Sequence, residues 1–279
     1  MELKKYYDKL YLAQDKILNL LAKSSCYLYL TGGTALHRFV LEGTRYSDDI
    51  DLFTGAKDVS AKDEMVKLVR FLKQSGVVFD IAVDSSNFKR LIVKDADVDL
   101  KIDIVYDVTE HIGDFDRKHG FLVDNIENIL INKYDSALSR EQSRDIFDIY
   151  TIIKNSDVDL LKSMKNLSKK SASEPETICA RIKSFPKEMI EAKDIRAKSG
   201  AILQDFMDNY KVTFDEFFNS KKLPRSMLDT IKKDVLKTTS EDYSAVEEIK
   251  AEIKARNVKE SETSIESSKE KRRRRTKQE

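Results

Sequence analysis

Leu30-Thr31-Gly32-Gly33-Thr34, followed by Arg45-Tyr46-Ser47-Asp48-Asp49-Ile50-Asp51-Leu52-Phe53, decides how this chain is read. The short apolar run from Cys26 to Leu30 predicts a strand. Two glycines end it, and a short helix is predicted over Ala35 to Leu41. Glycine lets backbone approach a ligand closely, and the free N–H groups of a helix start attract anions. Thr31 or Thr34 can add a hydroxyl contact or cap the helix. Such a turn is a phosphate cradle. In the second strand, predicted over Asp49 to Phe53, Asp49 and Asp51 share one face while Ile50 and Leu52 face the core. Two carboxylates held side by side repel, by about 4 kcal/mol at a separation of about 4 Å and an effective dielectric of about 20. A hard divalent cation such as Mg²⁺ removes that cost.

Outward from this stretch, strands are predicted over Val77 to Val83, Phe88 to Val93 and Val98 to Tyr106. The third alternates: Asp97, Asp99, Lys101 and Asp103 point one way, Val98, Leu100, Ile102 and Ile104 the other. Asp103 is the leading candidate for a third carboxylate, with Asp99 the alternative. Three carboxylates on neighbouring strands can hold two Mg²⁺ ions about 3.5–4 Å apart, the arrangement for in-line nucleotidyl transfer. Helical spacing is predicted over Leu3 to Leu21, Ser60 to Gln74, Asn125 to Leu138 and Gln142 to Ile153. Beyond about Asn155 only helical patterns continue, to Arg256, with breaks at Glu174-Pro175 and Leu223-Pro224. The expected layout is a catalytic domain over 1–154, a helical domain over 155–256 and a disordered basic tail over 257–279.

Composition excludes several classes. The chain has 279 residues, 41% hydrophobic and 35% charged, enough for a real core without an apolar run long enough to span a membrane. No apolar leader pattern is present at Met1, so a cytoplasmic location is expected. Cys26 and Cys179 match no metal or redox spacing, and His37, His111 and His119 no ligand spacing. The net charge of +1 conceals a basic tail: residues 256–279 carry nine Lys/Arg against five Asp/Glu, leaving the body at −3. The run Lys271-Arg272-Arg273-Arg274-Arg275 is a solvated segment that can attract RNA.

Gly32-Gly33, the Asp49-x-Asp51 pair and a later strand Asp together resemble the DNA polymerase β-like nucleotidyltransferase superfamily. The fuller string Gly-Gly-Thr-Ala-Leu, then Arg45-x-Ser47-x-Asp49-x-Asp51-Leu52, resembles the AbiEii/AbiGii toxins of abortive-infection and type IV toxin–antitoxin systems. Asn132-Lys133 and Arg144-Asp145-x-x-Asp148 match that family's later helices, so the resemblance spans roughly 28–153. Asp48, preceding the pair, departs from the pattern. The resemblance implies an α+β fold, a mixed sheet flanked by helices and followed by an all-α C-terminal domain. It also implies an enzyme moving an NMP from an NTP to a hydroxyl, on RNA (a tRNA 3′ end) before protein or small molecule, with Mg²⁺ or Mn²⁺ and an antitoxin partner. By it, Asp49 and Asp51 are metal ligands and Asp103 a ligand or general base. Gly32, Gly33, Thr34 and Ser47 meet the nucleotide, Lys133 neutralises the triphosphate, Asp145 lies near the site and Asp148 braces its helix. A catalytically degenerate nucleotide- or RNA-binding module, and a nuclease using the same acids, are the competing readings.

Overall fold

The computed structural model describes residues 3–55, 60–95 and 98–220. Its strands are β1 (Leu28–Thr31), β2 (Ile50–Thr54), β3 (Phe79–Asp84), β4 (Phe88–Asp95), β5 (Val98–Val105), β6 (Asp116–Lys118) and β7 (Phe121–Val123). They form one mixed sheet in the order β3-β4-β5-β2-β1-β7-β6. β2 runs antiparallel to β1 and parallel to β5, and β4 is antiparallel to β5. Thr31 therefore pairs with Asp51, Asp51 with Asp103, and Asp103 with Arg90, one row across four strands. Laterally paired residues point to the same face, and successive rows alternate. The next row, Ile50, Ile102 and Leu91, is fully buried on the opposite face. Alternation in these sequences thus builds an apolar layer on one side and a polar row on the other.

The apolar layer is covered by helices of matching spacing. α1 (Leu3–Lys23) buries Tyr7, Leu10, Ile17, Leu18 and Leu21, and α3 (Ser60–Gln74) buries Met65, Leu68 and Leu72. The glycine turn opens a short α2 (Gly32–Ala35), which widens at once into a π-turn over Leu36–Val40. Leu41 N–H closes that turn on the Leu36 carbonyl at 2.7 Å. Two further helices, α4 (Ile126–Ser139) and α5 (Ser143–Asn155), pack on each other. α6 (Leu160–Leu167) and α7 (Pro175–Lys183) lie against α4, whereas α8 (Ala192–Ile195) and α9 (Gly200–Ser220) lie against α5. Phe206 of α9 joins Phe147 and Tyr150 of α5 at ring separations of 5.2 and 5.3 Å.

Most expected elements stand within two or three residues of their bounds. β3 starts at Phe79 rather than Val77, because Val77 N–H is spent closing the end of α3 on the Leu72 carbonyl. The β6–β7 hairpin was not anticipated: its strands have three residues each, too short for a period to register. Its turn, His119-Gly120, has φ of +48° and +89°, and positive φ at both central residues is what a type I′ turn requires. Asp97, the helical expectation over 221–256 and the tail with its basic run lie outside the described residues. Among the described residues no helix is long and apolar enough to cross a membrane.

Phe206 is fully buried, so Phe206→Ala should destabilise the protein by roughly 3–5 kcal/mol, measured by urea unfolding followed by circular dichroism.

Candidate active site

The polar row ends at the start of α2, where Gly32 adopts φ +69°. A Cβ there would sit 2.2 Å from Asp51 Oδ2, so only glycine lets the turn pass the carboxylate. A Cβ on Gly33 would meet the Arg45 guanidinium at 2.6 Å and Ser47 Oγ at 2.9 Å. Thr34 is fully buried; its hydroxyl is 2.9 Å from Ser47 Oγ and donates to the Asp49 carbonyl, fixing the motif loop to the turn. Gln14 of α1 holds the same loop from behind, donating to the Ser47 and Asp48 carbonyls at 3.0 and 3.2 Å. Thr31 donates to Asp124 at 2.6 Å, and that buried carboxylate also takes His111 and Asn128.

Cations from neighbouring strands meet two of the three acids. Arg90 Nε and NH2 grip the Asp103 oxygens at 2.8 Å each. Lys101 Nζ lies 2.6 Å from Asp49 Oδ2 and 4.0 Å from Asp103 Oδ2. Asp51 has no ion-pair partner among the described residues. Burial, then the charges of Asp49 and Asp103, push its carboxyl up to about 6.

Above the row, the facing helices carry a buried charge network. Asp148 is fully buried and accepts Arg45 Nε and NH2 at 2.7 and 2.8 Å, His37 Nε2 at 2.7 Å and Lys133 Nζ at 2.6 Å. Burial alone would raise its carboxyl, but Arg45 and Lys133 hold it well below the usual carboxylate range. His37 is driven down to about 4 by burial and by Arg45, so it is neutral; its Nε2–H donates to Asp148 and its Nδ1 accepts from Thr44. Asp145 accepts Lys133 Nζ at 2.9 Å and Arg140 Nε at 2.7 Å. Lys133 is therefore fixed by two carboxylates rather than left on a free tether.

Of the residues the sequence singles out, Gly32, Ser47, Asp49, Asp51, Asp103 and Lys133 line one cleft of about 330 Å³. Gly33, Thr34 and Asp145 do not line it; they sit behind its wall and hold those that do. Asp99 is exposed and paired with Lys94 at 2.8 Å. Sequence reasoning missed the cleft's cations Arg90, Lys101 and Arg140, and marked Arg45 as part of the motif without a role. Arg90 was within reach: Asp95 pairs with Val98, and that register puts Arg90 opposite Asp103. The role of Asp148 is wider than bracing its own helix, since it ties together segments far apart in sequence.

Two variants test these electrostatics. Asp51→Asn removes a carboxylate crowded by its neighbours and should raise the Tm of the metal-free protein by a few degrees, about 1–2 kcal/mol, read by calorimetry. Asp148→Ala leaves Arg45 and Lys133 without their shared counter-charge and should cost about 3–5 kcal/mol in urea unfolding.

A model of one protein family, the nucleotidyl transferase AbiEii toxin of type IV toxin–antitoxin systems, matches residues 17–220. No curated protein sequence matches the chain significantly. Among solved structures, the chain is similar to MenT4, a nucleotidyltransferase toxin from Mycobacterium tuberculosis H37Rv, at a TM-score of 0.52 and 16% identity over 74% of this chain and 81% of that one. It is also similar to JHP933 from Helicobacter pylori, at a TM-score of 0.46 and 18% identity over 84% and 96% of the two chains. The match to MenT4 shows a shared fold. The family match covers most of the chain and includes both the cleft's acids and its facing helices: the protein belongs to the AbiEii family of nucleotidyltransferase toxins.

Proposed function

We propose that this chain moves a nucleoside monophosphate from an NTP to the terminal hydroxyl of an RNA, with tRNA 3′ ends the leading acceptor, and that Mg²⁺ serves the reaction. It would act in the cytoplasm as a toxin restrained by an antitoxin. One observation carries the reading: Asp49, Asp51 and Asp103 line the same cleft as Lys133 and Arg140. Acids for cations and cations for a triphosphate share one space.

The donor set fits a divalent cation. Among the described residues, no three Asp, Glu, His or Cys side chains are disposed to hold an ion as they stand. Asp49 and Asp103 are instead neutralised by Lys101 and Arg90, and Asp51, by burial and then by the charges of both, has its carboxyl raised to about 6. Hard oxygen donors, three carboxylates against the two cations paired to them, suit Mg²⁺, with Mn²⁺ an alternative. Asp49, Asp51 and Asp103 would hold it, and when bound it supplies charge neutralisation at the phosphates and activation of the acceptor hydroxyl.

The chain's own groups account for the remaining work. The acceptor oxygen attacks the α-phosphorus, its bond to pyrophosphate breaks, and the hydroxyl proton leaves to solvent or a cleft carboxylate. Arg90 occupies both oxygens of Asp103, which favours a ligand role for that residue over a base. Lys133, pinned by Asp145 and Asp148, presents a fixed positive charge to the triphosphate without a search through rotamers. Gly32 admits phosphate close to the backbone, and Ser47 adds a hydroxyl at the wall.

The test is label transfer from each α-³²P NTP to total cellular RNA with Mg²⁺, resolved on a denaturing gel. Wild type should label a discrete RNA; Asp49→Ala should not, and Lys133→Ala should need at least about tenfold more NTP. Absence of label from wild type, with NTP still raising its Tm, would point to a non-RNA acceptor or a degenerate module. Shortened RNA would identify a nuclease.

A further inference from the structure

A second cavity, of about 700 Å³, opens between the beginning of α1 and the α8–α9 connection. Its floor is apolar, with Leu3, Tyr6 and Leu203, and its charged lining residues, Lys193 and Arg196, are both cations. Their side chains are 85% and 40% exposed, and each holds a solvent-facing carboxylate, Lys193 that of Glu191 at 3.1 Å and Arg196 that of Asp48 at 2.8 Å. One ion pair separates this groove from the cleft: Arg196 NH1 donates to Asp48 Oδ1 at 2.8 Å, and Asp48 lines the cleft beside Asp49. Tyr7 completes the wall, its hydroxyl within 2.6 Å of both partners and its ring stacked on Tyr46 at 4.1 Å.

The groove is also joined by backbone to the loop that carries the acids. Tyr46 N–H donates to the Arg196 carbonyl at 3.0 Å and Lys198 N–H to the Thr44 carbonyl at 3.0 Å, with Arg45 bridged to Ala197. Arg196 takes φ +53°, an uncommon left-handed conformation for a residue with a side chain. The chain bends there so that the carbonyl reaches the motif loop while the guanidinium forms the partition.

We infer that this groove holds the 3′-terminal nucleotides of the acceptor strand. An apolar floor that includes the Tyr6 ring suits an unpaired base, and the ammonium of Lys193 and guanidinium of Arg196, held only by solvent-facing ion pairs, can exchange a carboxylate for its phosphodiester. The triphosphate is met by the cleft's own cations, so the donor does not need this space. The position is right for an acceptor: a strand lying here passes the Arg196–Asp48 partition to reach the acids. The inference rests on the reading of the chain as an RNA-directed nucleotidyltransferase, and adds where the RNA sits.

Leu203→Glu puts an anion on the floor and Lys193→Glu reverses a charge at the rim, neither touching the catalytic cleft. Binding of a fluorescein-labelled single-stranded RNA, read by anisotropy, should weaken about tenfold in each and lose much of its salt dependence in Lys193→Glu. In label transfer the KM for RNA should rise while the KM for NTP stays unchanged. Unchanged RNA binding and KM in folded variants overturns the inference and leaves the function standing. Equal loss of NTP and RNA use overturns it too, because the groove would then only support the fold. If wild type labels a protein instead of RNA, the acceptor class fails and the groove assignment falls with it.

Discussion

Asp51 and Asp103 lie opposite each other on neighbouring parallel strands, with Asp49 one step away, and their mutual repulsion governs the layout of the cleft. Burial, and after it the charges of Asp49 and Asp103, raise the proton affinity of the Asp51 carboxyl. The chain answers with cations from the same face: Arg90 on β4 and Lys101 on β5. It also leaves one acid without an ion-pair partner among the described residues and keeps the adjacent backbone free of a Cβ. A natural protein tolerates such strain where function requires it.

Asp148 is the counterpart on the helical side. One carboxylate on α5 binds Arg45 of the motif loop, His37 of the π-turn and Lys133 of α4. Those groups come from three separate parts of the sequence, so the motif loop cannot be correctly placed unless α4 and α5 are. The widened turn after α2 aims His37 inward, and the depressed proton affinity of its ring keeps it neutral there. The cleft and the packing of the helices are therefore one problem, and a buried charge without its partners would cost several kcal/mol.

Much of this was legible in the residues themselves. The two-residue spacing of Asp49 and Asp51, the alternation of β5 and the glycine turn carry local information, and local periodicity survives into structure. Arg45, Lys133, Asp145 and Asp148 could be marked only by resemblance, because an arginine or aspartate in a helical pattern reads as a solvated surface group. Their meaning is non-local: Arg45 meets Asp148 across about a hundred positions of sequence. Arg90 and Lys101 were hidden for a different reason. Strand cations look like solubilising residues until the register sets them beside acids. The β6–β7 hairpin escaped because strands so short leave almost no pattern.

The most direct test of the central claim, that the carboxylate row is built around a divalent cation, is a crystal structure with Mg²⁺ and a non-hydrolysable NTP. The expected result is an ion bound to oxygens of Asp49, Asp51 and Asp103 at about 2.0–2.1 Å, with the triphosphate extending toward Lys133. A nucleotide bound outside the cleft, or one inside it with Asp49 and Asp103 still paired to Lys101 and Arg90 and no ion between the acids, would contradict it.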